Sequence, residues 1–91
     1  MEPAPLPDLL LWRSDGCPLC DETVTIVEQL LARRAEAGQA APRLVVRRIA
    51  EDPAVERALF EQVPVLEAGG RRLPLATRLG PVRAFIDEIA R

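Results

Sequence analysis

The two cysteines of this chain lie two residues apart, in the run Gly16-Cys17-Pro18-Leu19-Cys20. A pair at this spacing can exchange disulfides, because one thiolate attacks a disulfide sulfur and the second thiol then releases the bound product. The attacking cysteine reacts as the thiolate, so it needs a setting that lowers its pKa below the roughly 8.5 of a free thiol. We expect Cys17 to be the attacking cysteine and Cys20, one helical turn further on, to be the resolving one.

The residues themselves leave two other uses of the cysteine pair open. A structural disulfide would close a loop of only about four residues and contribute about 2 kcal/mol, against about 3 kcal/mol for a fifteen-residue loop. A zinc or cluster site usually needs four ligands, and the pair supplies two. The sequence has no histidine, so the remaining ligands would come from carboxylates or from a second subunit of a dimer.

Composition excludes several classes of function. The chain has neither histidine nor lysine, so imidazole-based and lysine-based catalysis are excluded. Its net charge of −2 argues against a general nucleic-acid binder, which needs a basic face. No stretch approaches the ~18 apolar residues of a membrane span, and the N-terminus lacks the pattern of a signal peptide. We therefore expect a cytoplasmic monomer without nucleic-acid or membrane partners, in a compartment that keeps thiols reduced.

Apolar runs and amphipathic segments predict the element order β-α-β-α-β-β-α. Residues 1–7 predict an extended lead-in, and residues 8–91 a single α/β domain. The predicted elements are a strand at 9–12, a helix at 18–37, a strand at 44–49, a helix at 53–62, strands at 63–67 and 72–75, and a last helix from residue 80. Two β-α-β crossings would make the first three strands parallel. A Gly69-Gly70 turn would then add an antiparallel edge strand, giving a four-stranded mixed sheet with three flanking helices.

The first predicted helix begins at the cysteines, directly after a buried strand. At that position the sulfur of Cys17 would face unpaired backbone N–H groups and the positive end of the helix dipole, which favours the thiolate. Nearby carboxylates on Asp15, Asp21 and Glu22 would raise the pKa of Cys17 if they come close, and Arg13 could offset them. The setting is therefore one that can activate a thiol.

With its residues in this order, the chain resembles small glutaredoxin-like members of the thioredoxin superfamily, of the bacterial Cys-Pro-Leu-Cys type. The resemblance covers most of residues 8–90. It rests on the strand at 9–12, the cysteine motif, Glu-Asp-Pro at 51–53, and Val-Pro-Val at 63–65 before the Gly-Gly hairpin. It implies a thioredoxin-like fold and a thiol–disulfide oxidoreductase that reduces disulfides or mixed disulfides through Cys17 and Cys20. The alternative is a redox-inert binding module of the same fold.

The resemblance also implies how a substrate would be held. The Val63–Pro64 peptide bond would be cis, and the backbone of Val63 would pair with an extended peptide or with glutathione. Pro18, Val63 and Pro64 are thus the implied substrate-binding residues. The implied partner is a disulfide-containing protein or a low-molecular-weight thiol. No metal or organic cofactor is expected, and electrons would come from glutathione or from a thioredoxin reductase.

Three departures from the glutaredoxin pattern leave the specificity for glutathione open. Leu19 stands where glutathione-binding members usually have an aromatic residue, and Arg13 and Ser14 stand where they usually have a lysine. The run Leu79-Gly80-Pro81-Val82 lacks the acidic residue that follows Gly-Gly in those members. The dithiol chemistry therefore transfers through the resemblance, whereas the choice of thiol partner does not.

The remaining candidates have structural interpretations. Arg47–Arg48 and Arg71–Arg72 could bind an anion, but solvated strand faces and hairpin ends are expected. Trp12 ends the first predicted strand, and it is expected either to flank the dithiol or to pack in the core. Asp52 predicts the N-cap of the second helix.

Overall fold

The computed structural model describes residues 5–91, so the first four residues of the predicted lead-in lie outside the described part. The elements in chain order are β1 (Leu9–Arg13), α1 (Pro18–Glu36), β2 (Leu44–Arg48), a 3₁₀ helix (Ile49–Glu51), α2 (Pro53–Leu59), β3 (Val65–Ala68), β4 (Arg71–Leu73) and α3 (Leu79–Ile89). The predicted order of strands and α-helices is confirmed. Within residues 5–91, none of the helices combines the length and the apolar content needed to cross a membrane.

The four strands form one mixed sheet in the order β2-β1-β3-β4. Strands β1 and β2 are parallel, whereas β3 is antiparallel to β1 and β4 is antiparallel to β3. The four-stranded mixed sheet and the three α-helices agree with the prediction. The prediction of three parallel strands plus one antiparallel edge strand is wrong, because the direction of β3 is reversed.

The short helix α2 explains the direction of β3. Seven helical residues span only about 10 Å. Ile49, Leu59 and Val65 form a buried cluster against Trp12, so the connection stays at the end of the sheet where β1 ends. Val65 then lies opposite Trp12 in the register of β3 on β1. The chain enters β3 beside the end of β1 and can only run back along it.

One face of the sheet packs against α1 and α3. Leu9 and Leu11 point to this face and are fully buried, in keeping with the two-residue alternation of a strand. They belong to the main buried cluster, whose other members are Val27, Leu30, Leu66, Ala68, Ala76, Val82, Phe85 and Ile86. Each fully buried Leu, Ile, Val or Phe side chain contributes about 1.5–3 kcal/mol, so this cluster fixes the position of α1 on the sheet. The start of α1 is thereby held beside the end of β1.

The first two helices begin at local capping signals. Cys17 is the N-cap of α1, and Pro18 occupies the first helical position. An N–H at that position has no acceptor within the helix, so proline loses no hydrogen bond there. Asp52 caps α2 as predicted, and its carboxylate accepts hydrogen bonds from the backbone N–H groups of Ala54 and Val55 at 3.0 and 3.3 Å. After α1, Gly38 adopts a φ of 72°, which a glycine reaches without steric cost.

Candidate functional site

Cys17 and Cys20 lie at the start of α1 and form a disulfide, with their Cα atoms 5.2 Å apart. Their surroundings differ. The Sγ atom of Cys17 accepts a hydrogen bond from the backbone N–H of Cys20 at 3.1 Å, and Cys17 is partly exposed. Cys20 is fully buried. Cys17 is therefore the more exposed of the two cysteines, and its sulfur also accepts a hydrogen bond from a backbone N–H at the helix N-terminus, as the sequence predicts.

Arg13, the last residue of β1, holds the first turn of α1. Its guanidinium forms an ion pair with Asp21, with Nη1 2.6 Å from Oδ1. Its Nη2 atom donates to the carbonyl of Cys17 at 3.5 Å, and its Nε atom donates to the carbonyl of Ser14 at 3.2 Å. The charge of Asp21 is thus offset beside the cysteines, in the way expected for Arg13.

Arg48, the last residue of β2, holds the loop before the cysteines. Its Nε and Nη2 atoms donate to both carboxylate oxygens of Asp15, at 2.7 and 2.6 Å. These hydrogen bonds, followed by the charges of Arg48 and Arg13, hold the pKa of Asp15 below its ordinary value. Arg48 therefore holds the loop that precedes the cysteines, a role that sequence reasoning missed. The parallel register that sets Arg48 opposite Arg13 was the signal that could have found it.

The other arginines of the two pairs lie on the surface, as expected. Arg47 is exposed on β2. At the hairpin, Arg71 pairs with Glu88 and Arg72 pairs with Glu67. Hydrogen bonding and charge from Arg71 keep the pKa of Glu88 below its ordinary value.

The Val63–Pro64 peptide bond is cis, so that implication of the resemblance is confirmed. Pro64 is fully buried, and its carbonyl accepts the N–H of Ala76 at 2.8 Å. One step along, the N–H of Leu75 donates to the carbonyl of Gln62 at 2.8 Å. Between residues 5 and 91, neither the N–H nor the carbonyl of Val63 forms a backbone hydrogen bond. The main chain of Val63 is therefore available to a ligand.

A buried threonine connects the two halves of the site. Thr23 is the one polar residue in the described part of the chain that is fully buried. Its hydroxyl lies 2.7 Å from the carbonyl of Ala76 and 3.1 Å from the carbonyl of Leu19. Since Ala76 also donates to the carbonyl of Pro64, a hydrogen-bond chain runs from the cysteine helix to the cis proline. Sequence reasoning missed both Thr23 and Ala76.

These contacts place the predicted site residues on two adjoining segments. Cys17, Pro18 and Cys20 open α1, with Pro18 exposed, while Val63 and Pro64 precede β3. Trp12 packs against the second buried cluster, as Val63 does, and its Nε1 atom is buried without a hydrogen-bond partner among residues 5–91. Trp12 therefore takes part in core packing, on the same cluster as Val63.

No family model and no curated protein matches the chain. A crystal structure of the structural genomics target XcR50 from X. campestris is similar, with 32% identity over 88% of this chain and 96% of XcR50 and a TM-score of 0.69. The chain belongs to the XcR50 family. A solution structure of XcR50 gives 30% identity over 89% of this chain and 94% of XcR50, with a TM-score of 0.67. The name XcR50 does not state an activity.

Proposed function

We propose that this protein is a thiol–disulfide oxidoreductase with a thioredoxin-like fold and that Cys17 and Cys20 are its working dithiol. The observation that carries the proposal is the contrast between the two sulfurs. Cys17 is accessible and its sulfur accepts an N–H group at the helix start, whereas Cys20 is buried behind it. Helix N-termini and Cys-x-x-Cys motifs are the settings in which proteins activate thiols. The mixed sheet with its parallel β1–β2 pair supports the fold assignment.

The proposed reaction passes two electrons to a substrate disulfide. The thiolate of Cys17 attacks one substrate sulfur, which forms a mixed disulfide and expels the other substrate sulfur as a thiolate. Cys20 then loses its proton and attacks the sulfur of Cys17. This forms the Cys17–Cys20 disulfide and expels the second substrate sulfur, and each expelled thiolate takes up a proton. Because Cys20 is fully buried, a substrate disulfide cannot react with it directly. Cys20 reacts only after Cys17 has formed the mixed disulfide.

A reducing thiol from outside the protein returns the disulfide to the dithiol. Two molecules of a monothiol such as glutathione do this in sequence. The first forms a mixed disulfide with Cys17 and releases Cys20 as a thiol. The second attacks the glutathione sulfur of that mixed disulfide, which releases glutathione disulfide and the thiolate of Cys17. The dithiol of a thioredoxin reductase could do the same in one encounter. The proposal places the protein in the cytoplasm, where such reductants are abundant, as a monomer without a bound cofactor.

The substrate would be held beside the dithiol by the Val63 main chain. Its N–H and carbonyl form no backbone bonds within the described chain, so an extended peptide can add to them as a short strand. Pro64 is buried beneath this segment, while Pro18 is exposed at the helix start next to Cys17. In this proposal Pro18 and Val63 contact the substrate, whereas Pro64, predicted as a substrate-binding residue, is fully buried and supports the main chain of Val63 from below.

A trapping experiment with two matched variants tests this proposal. Reduced Cys20→Ser protein is mixed with glutathione disulfide at neutral pH, and intact mass is followed over time. We expect a one-to-one mixed disulfide on Cys17, formed faster than with free cysteine, and no adduct on reduced Cys17→Ser protein. Adduct formation at or below the rate of free cysteine would refute the oxidoreductase and leave the binding-module alternative.

A further inference from the structure

A groove runs between α1 and α3 and contains two adjoining hollows. The first, beside Leu79, measures about 180 Å³, and the second, beside Arg83, measures about 220 Å³. Leu30 and Arg33 line both hollows, so the two are continuous. Arg33 lies sixteen residues after Cys17 along α1, which places it about 24 Å from the start of the helix. The groove therefore extends away from the proposed redox site.

The two hollows repeat along α1 with the period of a helix. In α1, the first hollow is lined by Ile26, Gln29 and Leu30. The second is lined by Leu30, Arg33 and Arg34, which lie four residues further along the helix. Four residues correspond to about one helical turn, or about 6 Å. Side chains four residues apart on another helix are neighbours on one face at a similar spacing, so such a pair matches the two hollows.

Each hollow suits one apolar side chain better than a whole small molecule. The floor is apolar, since Leu30 and Ile86 are buried and Ile26 packs against the same buried cluster. A dry cavity of about 150 Å³ holds a benzene ring, whereas pockets for drug-sized molecules measure about 300–1,000 Å³. Leu79 adds a wall to the first hollow and is 50% exposed. The groove thus offers apolar surface in two units, each the size of a side chain.

The rim of the groove is positive, although the chain as a whole is negative. Three arginines and one carboxylate line the two hollows, whereas the net charge of the chain is −2. The carboxylate, Asp87, is paired with Arg34 at 2.8 Å. Arg33 and Arg83 are exposed and form no ion pair among residues 5–91, although Glu36 lies only three residues after Arg33. Two such guanidinium groups favour a partner with carboxylates beside its apolar side chains.

From these observations we infer that the groove between α1 and α3 docks an amphipathic helix of a partner protein, with two large apolar side chains one turn apart and carboxylates beside them. The apolar side chains fill the two hollows, and the carboxylates pair with Arg33 and Arg83. An amphipathic helix laid into an apolar groove is a recurring mode of peptide recognition. This docking does not use Cys17 or Cys20, so it goes beyond the proposed function and does not depend on it.

The test measures the binding of three labelled, alanine-based helical peptides to the full chain by fluorescence anisotropy. The first peptide carries two leucines one turn apart with glutamates beside them. The second has lysines in place of the glutamates, and the third has the composition of the first with its leucines on opposite faces. We expect the glutamate peptide to bind about tenfold more tightly than either of the other two, because only it matches both the hollows and the charge of the rim.

Two double variants test which arginines hold the glutamate peptide. Arg33→Gln/Arg83→Gln should weaken its binding about fivefold to tenfold, as expected for the loss of two exposed ion pairs. Arg47→Gln/Arg57→Gln is the matched control, because it removes the same charge from exposed positions on β2 and α2, outside the groove. The control should bind within about twofold of the wild-type protein, since salt screens distant charges. Cys17→Ser should bind as the wild-type protein does.

Three results would overturn the inference. The first is a glutamate peptide that shows no saturable binding, or that binds no more tightly than the other two peptides. The second is equal weakening by the two double variants, because the attraction would then depend on net charge alone. The third is displacement of the labelled glutamate peptide by decanoate at lower concentration than by the same peptide without its label. That result would make the groove a site for a small amphiphilic anion instead of a helix.

Discussion

Replacing Thr23 by valine should destabilise the protein because it removes one buried hydrogen bond. Valine matches the shape of threonine but cannot donate, so the change removes the 2.7 Å bond to the carbonyl of Ala76 without opening a cavity. The carbonyl of Leu19 still accepts the backbone N–H of the residue four positions later in the helix. Losing its second bond, to the Thr23 hydroxyl, therefore costs little. The main effect is therefore that the carbonyl of Ala76 loses its donor. Ala76 is also the residue whose N–H donates to the carbonyl of Pro64.

The size of the effect follows from burial. Ala76 is almost completely buried, so water cannot replace the lost donor. A buried acceptor left without a partner costs about 1–3 kcal/mol, and we expect about 2 kcal/mol for Thr23→Val. With a urea dependence of about 1–2 kcal/mol/M for a domain of this size, the unfolding midpoint should fall by about 1–2 M.

Urea unfolding of the oxidised protein, followed by circular dichroism, measures this change. Thr25→Val is the matched control on the same helix, because its exposed hydroxyl makes only a 3.3 Å contact with the carbonyl of Asp21. The control should lie within about 0.5 kcal/mol of the wild-type protein. Equal stabilities of the Thr23→Val and Thr25→Val variants would refute the argument that Thr23 ties α1 to the segment at Ala76.

Three further predictions concern the cap of α2, the Asp15–Arg48 pair and the reduced dithiol. Asp52→Ala should lower the free energy of unfolding by about 1 kcal/mol in urea, because two N–H groups of α2 lose their acceptor. The pKa of Asp15 is lowered in the folded protein, so its pair with Arg48 stabilises the fold above the unfolded-state pKa and is lost as pH falls through the folded-state value. The stability difference between wild-type and Asp15→Asn proteins, measured in urea from pH 7 to pH 2, should therefore vanish on the acid side, and a constant difference would contradict this. In the reduced protein, iodoacetamide should label Cys17 before Cys20 with a pH midpoint below about 8.5, whereas equal labelling of both, resolved by peptide mass, would contradict the proposed asymmetry.

The features that the sequence predicts correctly are local ones. The strand at Leu9, the break at Gly16 and the helix from Pro18 follow from short-range pattern, and together they place the cysteines at a helix start. The cap at Asp52 needs only the two residues that follow it and is equally local. The position of the dithiol and the order of the elements were therefore predictable.

The features that the sequence does not predict depend on long-range packing. The direction of β3 follows from the way Ile49 and Leu59 pack around Trp12, which no local pattern contains. The bond from Thr23 to Ala76 spans 53 residues, and the bonds from Arg48 to Asp15 span 33. Until the strands are paired in register, neither side chain can be distinguished from an ordinary helical threonine or surface arginine.

Catalytic turnover tests the central claim most directly. A peptide disulfide is supplied in excess over the protein, with glutathione and separately a thioredoxin reductase as the source of electrons, and free peptide thiol is followed over time. The account predicts many turnovers per wild-type molecule with at least one electron source, and none above background for Cys17→Ser. A wild-type protein that reduces the disulfide no faster than Cys17→Ser with either source would contradict it.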